Sequence, residues 1–409
     1  MPAPTPTLSL ADVRRYVDEQ VFGTPPGTTA AGRVGIELEW IPIAYDGSTP
    51  PPETLRSALP VTLPGGSRLT FEPGGQLELS GPPGQNLGDA CRAMRADTAA
   101  VRDALGAVGV ELVGAGIDAR GAADRVLDHP RYAAMEEYFD TRWPEGRTMM
   151  RNTASIQVNL DVGAAATVDQ RWQLAHDLGP VLTACFANSP FDTTGRPSGF
   201  CSTRAAVWQA IDPARTAPAR IDRHLGARVE WTRYLLDAPV MMIRVDDTHS
   251  VASQRTLRFA DWITNGHELG WPTADDLAYH ATTLFPPVRP RGWLEFRMID
   301  ALPEVWWPVA VAVTTALIDD PAAAAAASKA VAALGDRWMT AAREGLRDRD
   351  IAVAARRCFA AARPALARIG ADPDTRAATD EFFERFVIHD RCPADDLLDA
   401  WSWPKPANV

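Results

Sequence analysis

Four short segments of this chain alternate an acid, an amide or an arginine with an apolar residue. They are Gly35-Ile36-Glu37-Leu38-Glu39-Trp40, Gln76-Leu77-Glu78-Leu79-Ser80, Ser155-Ile156-Gln157-Val158-Asn159-Leu160-Asp161 and Trp293-Leu294-Glu295-Phe296-Arg297-Met298. Side chains of a strand point alternately to the two faces of its sheet. If the four strands pair, Glu37, Glu39, Glu78, Gln157, Asn159, Glu295 and Arg297 gather on one face. Glu72 joins them through Phe71-Glu72-Pro73-Gly74-Gly75-Gln76-Leu77-Glu78, a tight turn that brings two acids together. Crowded carboxylates repel and raise each other's pKa unless cations sit among them. Hard cations such as Mg²⁺ take carboxylate and phosphate oxygens. In such a site the glutamate at 295 holds metal and the arginine at 297 holds a phosphoryl oxygen.

Each pair taken alone has a plainer explanation. Glu37 and Glu39 suit the wet face of an antiparallel sheet, and Glu295 beside Arg297 suits an ordinary ion pair. Arg204, Trp208, Asp212 and Arg215, between Ser202 and Thr216, read either as a surface helix or as a recognition loop for an anionic substrate. A phosphotransferase acting on some other carboxylate or guanidino group would use the same residue types, and the residues alone leave that open. There is no Walker A sequence, no strand-linked Gly-x-Gly-x-x-Gly, no Gly-x-Ser-x-Gly and no His-Glu-x-x-His. Any ATP binding therefore uses a route without a P-loop.

The elements that must position these residues follow from periodicity. Ser9 to Val21 reads as a helix, Arg33 to Ile43 as the first strand and Asp46 to Gly66 as a loop. Arg68–Glu72 and Gln76–Ser80 read as paired strands. Asn86 caps a helix reaching about Val108, Glu111–Ile117 is a strand, and Pro130–Phe139 is a helix. Arg142–Met150 reads as a loop, Val168 to Asn188 as one helix and Ser189–Gly199 as a loop. Pro239–Val245 reads as a strand, Asp246–Ser253 as a loop, Thr273–Leu284 as a helix and Trp293–Ile299 as the last strand. After Leu302 the pattern is helical to Trp401, with Pro321 opening an Ala-rich helix. Strands first and helices last favour an α+β fold over a doubly wound one.

The 409 residues carry a formal net charge of −11, and 46% of them are hydrophobic. The acidic balance, with no Lys/Arg block, argues against nucleic acid or an anionic membrane as a partner. Only Lys329 and Lys405 are lysines, so an anion clamp must be built from Arg, backbone amides or metal. Five scattered cysteines fit reduced thiols. With no signal sequence at Met1–Thr5 and no sufficient apolar span (Val305–Ile318 is too short), the expectation is a soluble cytoplasmic protein.

The segments Gly35–Glu39, Glu72–Gly81, Pro130-Arg131-Tyr132 with Met135, Met150–Asp161, Ser202–Thr216, Tyr234–Met241, His280–Pro287 and Leu294–Asp300 resemble, in that order, the glutamate–cysteine ligases of the plant and bacterial type. The resemblance covers about Gly35 to Pro308 and is nearest the ergothioneine-pathway branch found in high-GC bacteria. It implies a glutamine-synthetase-like catalytic fold, a curved antiparallel sheet forming a funnel with helices outside. It implies one catalytic domain over 1–409, with the funnel in 1–304 and a helical portion in 305–401. It implies ATP, Mg²⁺, L-glutamate and L-cysteine, joined through a γ-glutamyl phosphate by a monomer. Glu37, Glu39, Glu72, Glu78 and Glu295 would be metal ligands, with Asn159 or Gln157 completing a shell. Gln157 would also lie by the nucleotide, Arg297 would meet its phosphates with Glu295 beside it, and Arg204, Arg151 and Arg215 would serve the glutamate carboxylate. A ligase of this fold with another amine acceptor, or a non-catalytic homologue binding nucleotide or glutamate, would share these features.

Overall fold

The alternating segments do become one sheet. The structure is a computed structural model that describes residues 7–23, 32–219, 221–222, 224–245, 250–253 and 256–401. Its strands are β1 (Val34–Ala44), β2 (Arg68–Phe71), β3 (Leu77–Ser80), β4 (Val110–Val113), β5 (Ser155–Asp161), β6 (Met242–Arg244), β7 (Ser250–Ala252), β8 (Val288–Pro290) and β9 (Trp293–Asp300). Seven of them form a sheet in the order β2-β3-β1-β5-β9-β8, with β4 on the far end of β1. Every pairing is antiparallel. β6 and β7 make a separate two-stranded ribbon.

Register sets which side chains meet. Glu39 lies opposite Glu78, Glu37 opposite Gln157, and Asn159 opposite Glu295. Between Ile156 and Val158 the β5–β9 register shifts, so Arg297 and Met298 together face Gln157. A bulge of this kind bends the strand and re-aims a side chain, here the guanidinium of Arg297.

The other face is apolar. Ile36, Leu38, Trp40, Leu77, Leu79, Val158, Leu160 and Phe296 are buried in one large core. The helices Leu87–Gly106 and Trp307–Asp319 contribute to that core. Asn86 caps the first of these, accepting from the Asp89 amide. Burying the apolar face pins the register, because a one-residue slip would turn every acid into the core.

Several stretches differ from the sequence reading. The expected loop Asp46–Gly66 contains the helix Pro52–Ala58, and Arg142–Met150 overlaps the helix Glu145–Asn152. Proline is tolerated in a first helical turn, where its missing N–H has no partner to lose, so Pro52 and Pro144 open helices rather than prevent them. The expected helix Val168–Asn188 breaks at Leu178 into Val168–Asp177 and Gly179–Cys185, with Pro180 starting the second piece. The helices Ala227–Asp237 and Phe259–Asn265 and the short strand β8 were not expected. Residues 246–249 of the expected loop Asp246–Ser253 lie outside the described residues, and part of the remainder is β7. All five cysteines are free and buried. Among the described residues no single helix is long and apolar enough to cross a membrane.

Candidate active site

The β2–β3 turn is built around two glycines. The Gly75 amide donates to the Glu72 carbonyl (2.8 Å), and the Glu72 amide donates to the Gln76 carbonyl (2.8 Å). Gly75 has φ +91°, in the left-handed region. A Cβ at Gly74 would lie 1.9 Å from the Arg151 carbonyl oxygen, so only glycine fits there. The Gln76 amide group donates to the Thr153 carbonyl (2.9 Å) and ties the turn to the neighbouring chain. As a result Glu39 of β1, Glu72 and Glu78 of β3 each bring a carboxylate oxygen within 4.8 Å of the others.

The electrostatics of this trio are unfavourable without a cation. Burial and the neighbouring Glu78 charge raise the Glu39 pKa. Burial, Glu39 and Glu78 push Glu72 well above the ordinary carboxylate range. Burial and the charges of Glu295 and Glu78 raise Glu37 to about 7, against the donation it accepts from Asn159. Hydrogen bonds hold the acids in place: Ser155 N to Glu39 (2.7 Å), Gln157 to Glu39 (3.2 Å) and Asn159 to Glu37 (2.9 Å). Three carboxylate oxygens held together, with Glu39 and Glu72 made harder to ionise by burial and by their acidic neighbours, form an all-oxygen donor set that fits a hard divalent cation.

An arginine-rich half completes the floor. Glu295 is 1% exposed. Burial alone would raise its pKa, but Arg289 and Arg297 overcome that and lower it to about 2. Arg289 bonds the Glu295 Oε2 through Nε (2.5 Å), and Arg297 lies 3.3 Å from the same oxygen. The other oxygen, Oε1, has no hydrogen-bond partner, and neither does Oδ1 of Asn159. Arg204 is buried, donates to the Arg297 carbonyl (2.9 Å) and lies 3.8 Å from Asp300.

These groups surround a basin of about 1050 Å³ lined by Glu37, Glu39, Glu72, Glu78, Gln157, Arg204 and Arg297, among others. Asn159 and Glu295 stand behind that wall, bonded to or paired with Glu37 and Arg297. The structure does not bring Arg151 and Arg215 to the basin. Arg151 pairs with Glu136 (2.6 Å) and backs the Gly74-Gly75 turn from the outside. Arg215 is fully buried. Its guanidinium donates to Asp212 (3.0 Å), to Thr283 O and Oγ1 (2.7 and 2.9 Å) and to the Pro239 carbonyl (2.5 Å). With its donors committed, it serves as a structural tie.

Sequence reasoning missed Arg289 and Arg291. Arg289 sits on a three-residue strand, too short for alternation to show, and the Arg291-Gly292 turn places it opposite Glu295. The usable signal is Gly292, at φ +81° between two arginines and Trp293.

Comparison with known proteins gives the family. The model of the family described as Glutamate-cysteine ligase family 2 (GCS2) matches residues 33–406. The chain is 42% identical over 391 residues to glutamate–cysteine ligase EgtA of Mycobacterium tuberculosis, covering 90% of this chain and 86% of that one. It is 41% identical over 378 residues to EgtA of Mycolicibacterium smegmatis, covering 90% and 87%. A crystal structure of glutamate–cysteine ligase from Francisella tularensis in complex with AMP superposes with TM-score 0.54 at 12% identity, over 91% of this chain and 85% of that one. At that identity the superposition speaks for the fold.

Proposed function

The chain belongs to glutamate–cysteine ligase family 2, and we propose that its basin joins the γ-carboxylate of L-glutamate to the amine of L-cysteine at the expense of ATP, with Mg²⁺. The products are γ-glutamylcysteine, ADP and phosphate, in the service of low-molecular-weight thiol (ergothioneine) synthesis. The observation that carries this reading is the trio Glu39, Glu72 and Glu78, with oxygens within 4.8 Å, on the same basin wall as Arg297 and Arg204.

A carboxylate is a poor acylating agent. Transfer of the ATP γ-phosphoryl group to the glutamate γ-carboxylate gives an acyl phosphate and ADP. The cysteine amine attacks the acyl carbon, the C–N bond forms, and phosphate leaves. Magnesium, when bound, neutralises the polyphosphate and aligns donor with acceptor. Glu39, Glu72 and Glu78 would hold it. Glu37 and the oxygens of Asn159 and Glu295 that accept no hydrogen bond offer further donors, the Glu295 oxygen lying 3.8 Å from Arg291. Arg297 would stabilise charge on the transferring group, steadied by Glu295 and by Gln157 at the edge of the nucleotide site. Arg204 would bind a glutamate carboxylate. The chemistry asks little of side-chain acids and bases, in keeping with a basin wall that has no His or Cys among the described residues.

We read the sheet as the curved funnel of a glutamine-synthetase-like fold, its polar face turned to the basin. Every proposed site residue precedes Leu302. The helices after it pack into the same apolar core, which supports treating 1–409 as one catalytic domain, acting as a cytoplasmic monomer. The test is purified protein with ATP, Mg²⁺, glutamate and a panel of amino acids, analysed by mass. γ-Glutamylcysteine is expected, absent when ATP or Mg²⁺ is withheld. Product with another amine and none with cysteine would overturn the acceptor assignment.

A further inference from the structure

Trp208 stands where two arginines meet. The Arg204 Cζ lies 5.7 Å from its ring centroid and the Arg297 Cζ 5.9 Å. Both distances are within the range at which a guanidinium is attracted to an indole face. The two cations repel each other: burial lowers the Arg204 pKa first, Asp300 and Glu39 work against that, and the Arg297 charge lowers it further. Phe285 packs edge-on against Trp208 (5.8 Å, 81°) and fixes the ring. Trp208, Arg204, Arg297 and Phe285 line the basin and also a smaller chamber of about 400 Å³ beside it, whose wall has no acid among the described residues.

A second observation concerns unpaired donors. Nε of Arg204, Nε of Arg297 and the indole Nε1 of Trp208 are all buried without a hydrogen-bond partner. A buried donor without an acceptor is destabilising, so three on touching residues need an explanation. An oxyanion, with several acceptor oxygens, supplies one.

We propose that Arg204, Trp208 and Arg297 form one oxyanion clamp, in which Trp208 is a positioning residue: its ring carries both guanidiniums and its N–H is a third donor. This deepens the ligase reading and rests on it for the identity of the oxyanion, which is either the glutamate carboxylate or the phosphate released from it. Arg204 is tied by one amino group to the Arg297 carbonyl, and Arg297 is tied to Gln157 and Glu295; the ring is a contact that the two guanidiniums share. Without it, the pair loses that common support and its cation–π attraction.

The test compares Trp208→Phe, which keeps a π face, with Trp208→Leu, which keeps only apolar bulk. Losing two cation–π contacts predicts a rise of about 10- to 50-fold in the glutamate KM of Trp208→Leu, with kcat falling less. Trp208→Phe should recover a clear part of that loss, the remainder being the indole N–H donated to the anion, a charge-assisted hydrogen bond. Melting temperatures of the variants check that folding is not the cause. Calorimetric titration with L-glutamate and, separately, with inorganic phosphate shows which oxyanion loses affinity, and it does not depend on turnover. Wild-type protein inactive as a ligase but binding either anion in a Trp208-dependent way would defeat the ligase reading and keep the clamp. Equal kinetics in Phe and Leu variants, or Leu kinetics and anion binding within 2-fold of wild type, would overturn the clamp. Should Trp208→Leu not fold, Arg204→Gln and Trp208→Phe are measured singly and together: additive losses reject coupling between the two, and non-additive losses support it.

Discussion

Replacing Glu72 by Gln should stabilise the metal-free protein while removing its response to magnesium. Oxygens of Glu39, Glu72 and Glu78 lie within 4.8 Å of one another. Two unit charges at that separation repel by about 3 kcal/mol at an effective dielectric constant near 20. Protonation relieves part of this, because Glu72 and Glu39 have raised pKa values. A net gain of about 1–2 kcal/mol remains at pH 8, which moves the melting temperature up by roughly 1–3 °C for a chain this long. Wild-type protein at a hundredfold excess of Mg²⁺ over Kd gains about 2.7 kcal/mol from binding, and Glu72→Gln should lose most of that. The sign with pH follows from the raised acids. Glu37 titrates near 7 in the fold, so its contribution to stability is full below pH 4.5 and is lost as pH rises through 7. Magnesium should therefore stabilise wild type more at pH 8 than at pH 6. Differential scanning fluorimetry at both pH values, with and without Mg²⁺, measures all of this. A lower melting temperature for metal-free Glu72→Gln, or an undiminished magnesium shift, would refute the reasoning.

Glu295→Gln should behave oppositely: it strands Arg289, which is 7% exposed, and breaking a buried pair costs about 3–5 kcal/mol; a clearly lower urea midpoint is expected. Gly74→Ala should abolish turnover or soluble expression, because its methyl would meet the Arg151 carbonyl at 1.9 Å; a variant with wild-type rates would show the turn has slack. His176 and His280 are buried and neutral, with burial lowering their pKa values to about 4 and about 3. The unfolded chain takes up those protons near pH 6.5, so stability falls as pH drops below that value, by up to roughly 3 kcal/mol per histidine near pH 4. His176→Gln, whatever its absolute stability, should lose stability less steeply between pH 6.5 and pH 4.5, as read by thermal melts.

The polar face was legible because its code is local. Alternation on β1, β3, β5 and β9 put Glu37, Glu39, Glu78, Gln157, Asn159, Glu295 and Arg297 on one side, and the Pro73-Gly74-Gly75 turn added Glu72. The partners of these residues were not legible. Arg289 reaches Glu295 only through a hairpin whose first strand is three residues long. Arg215 and Arg151, which the family resemblance offered for the glutamate carboxylate, are tied to Asp212 and Glu136. Nothing in one sequence says whether an arginine's donors are already used. The helices Pro52–Ala58 and Glu145–Asn152 were hidden by prolines that start helices as readily as they end them. The bulge that turns Arg297 toward Gln157 follows from pairing two strands far apart in the chain, which no short window contains.

The central claim is that an acid-lined basin uses ATP and Mg²⁺ to activate a glutamate carboxylate. It is tested most directly with glutamate labelled by ¹⁸O at the γ-carboxylate, incubated with ATP, Mg²⁺ and cysteine. One labelled oxygen should appear in each inorganic phosphate formed, in step with γ-glutamylcysteine. Product accompanied by unlabelled phosphate would contradict the account.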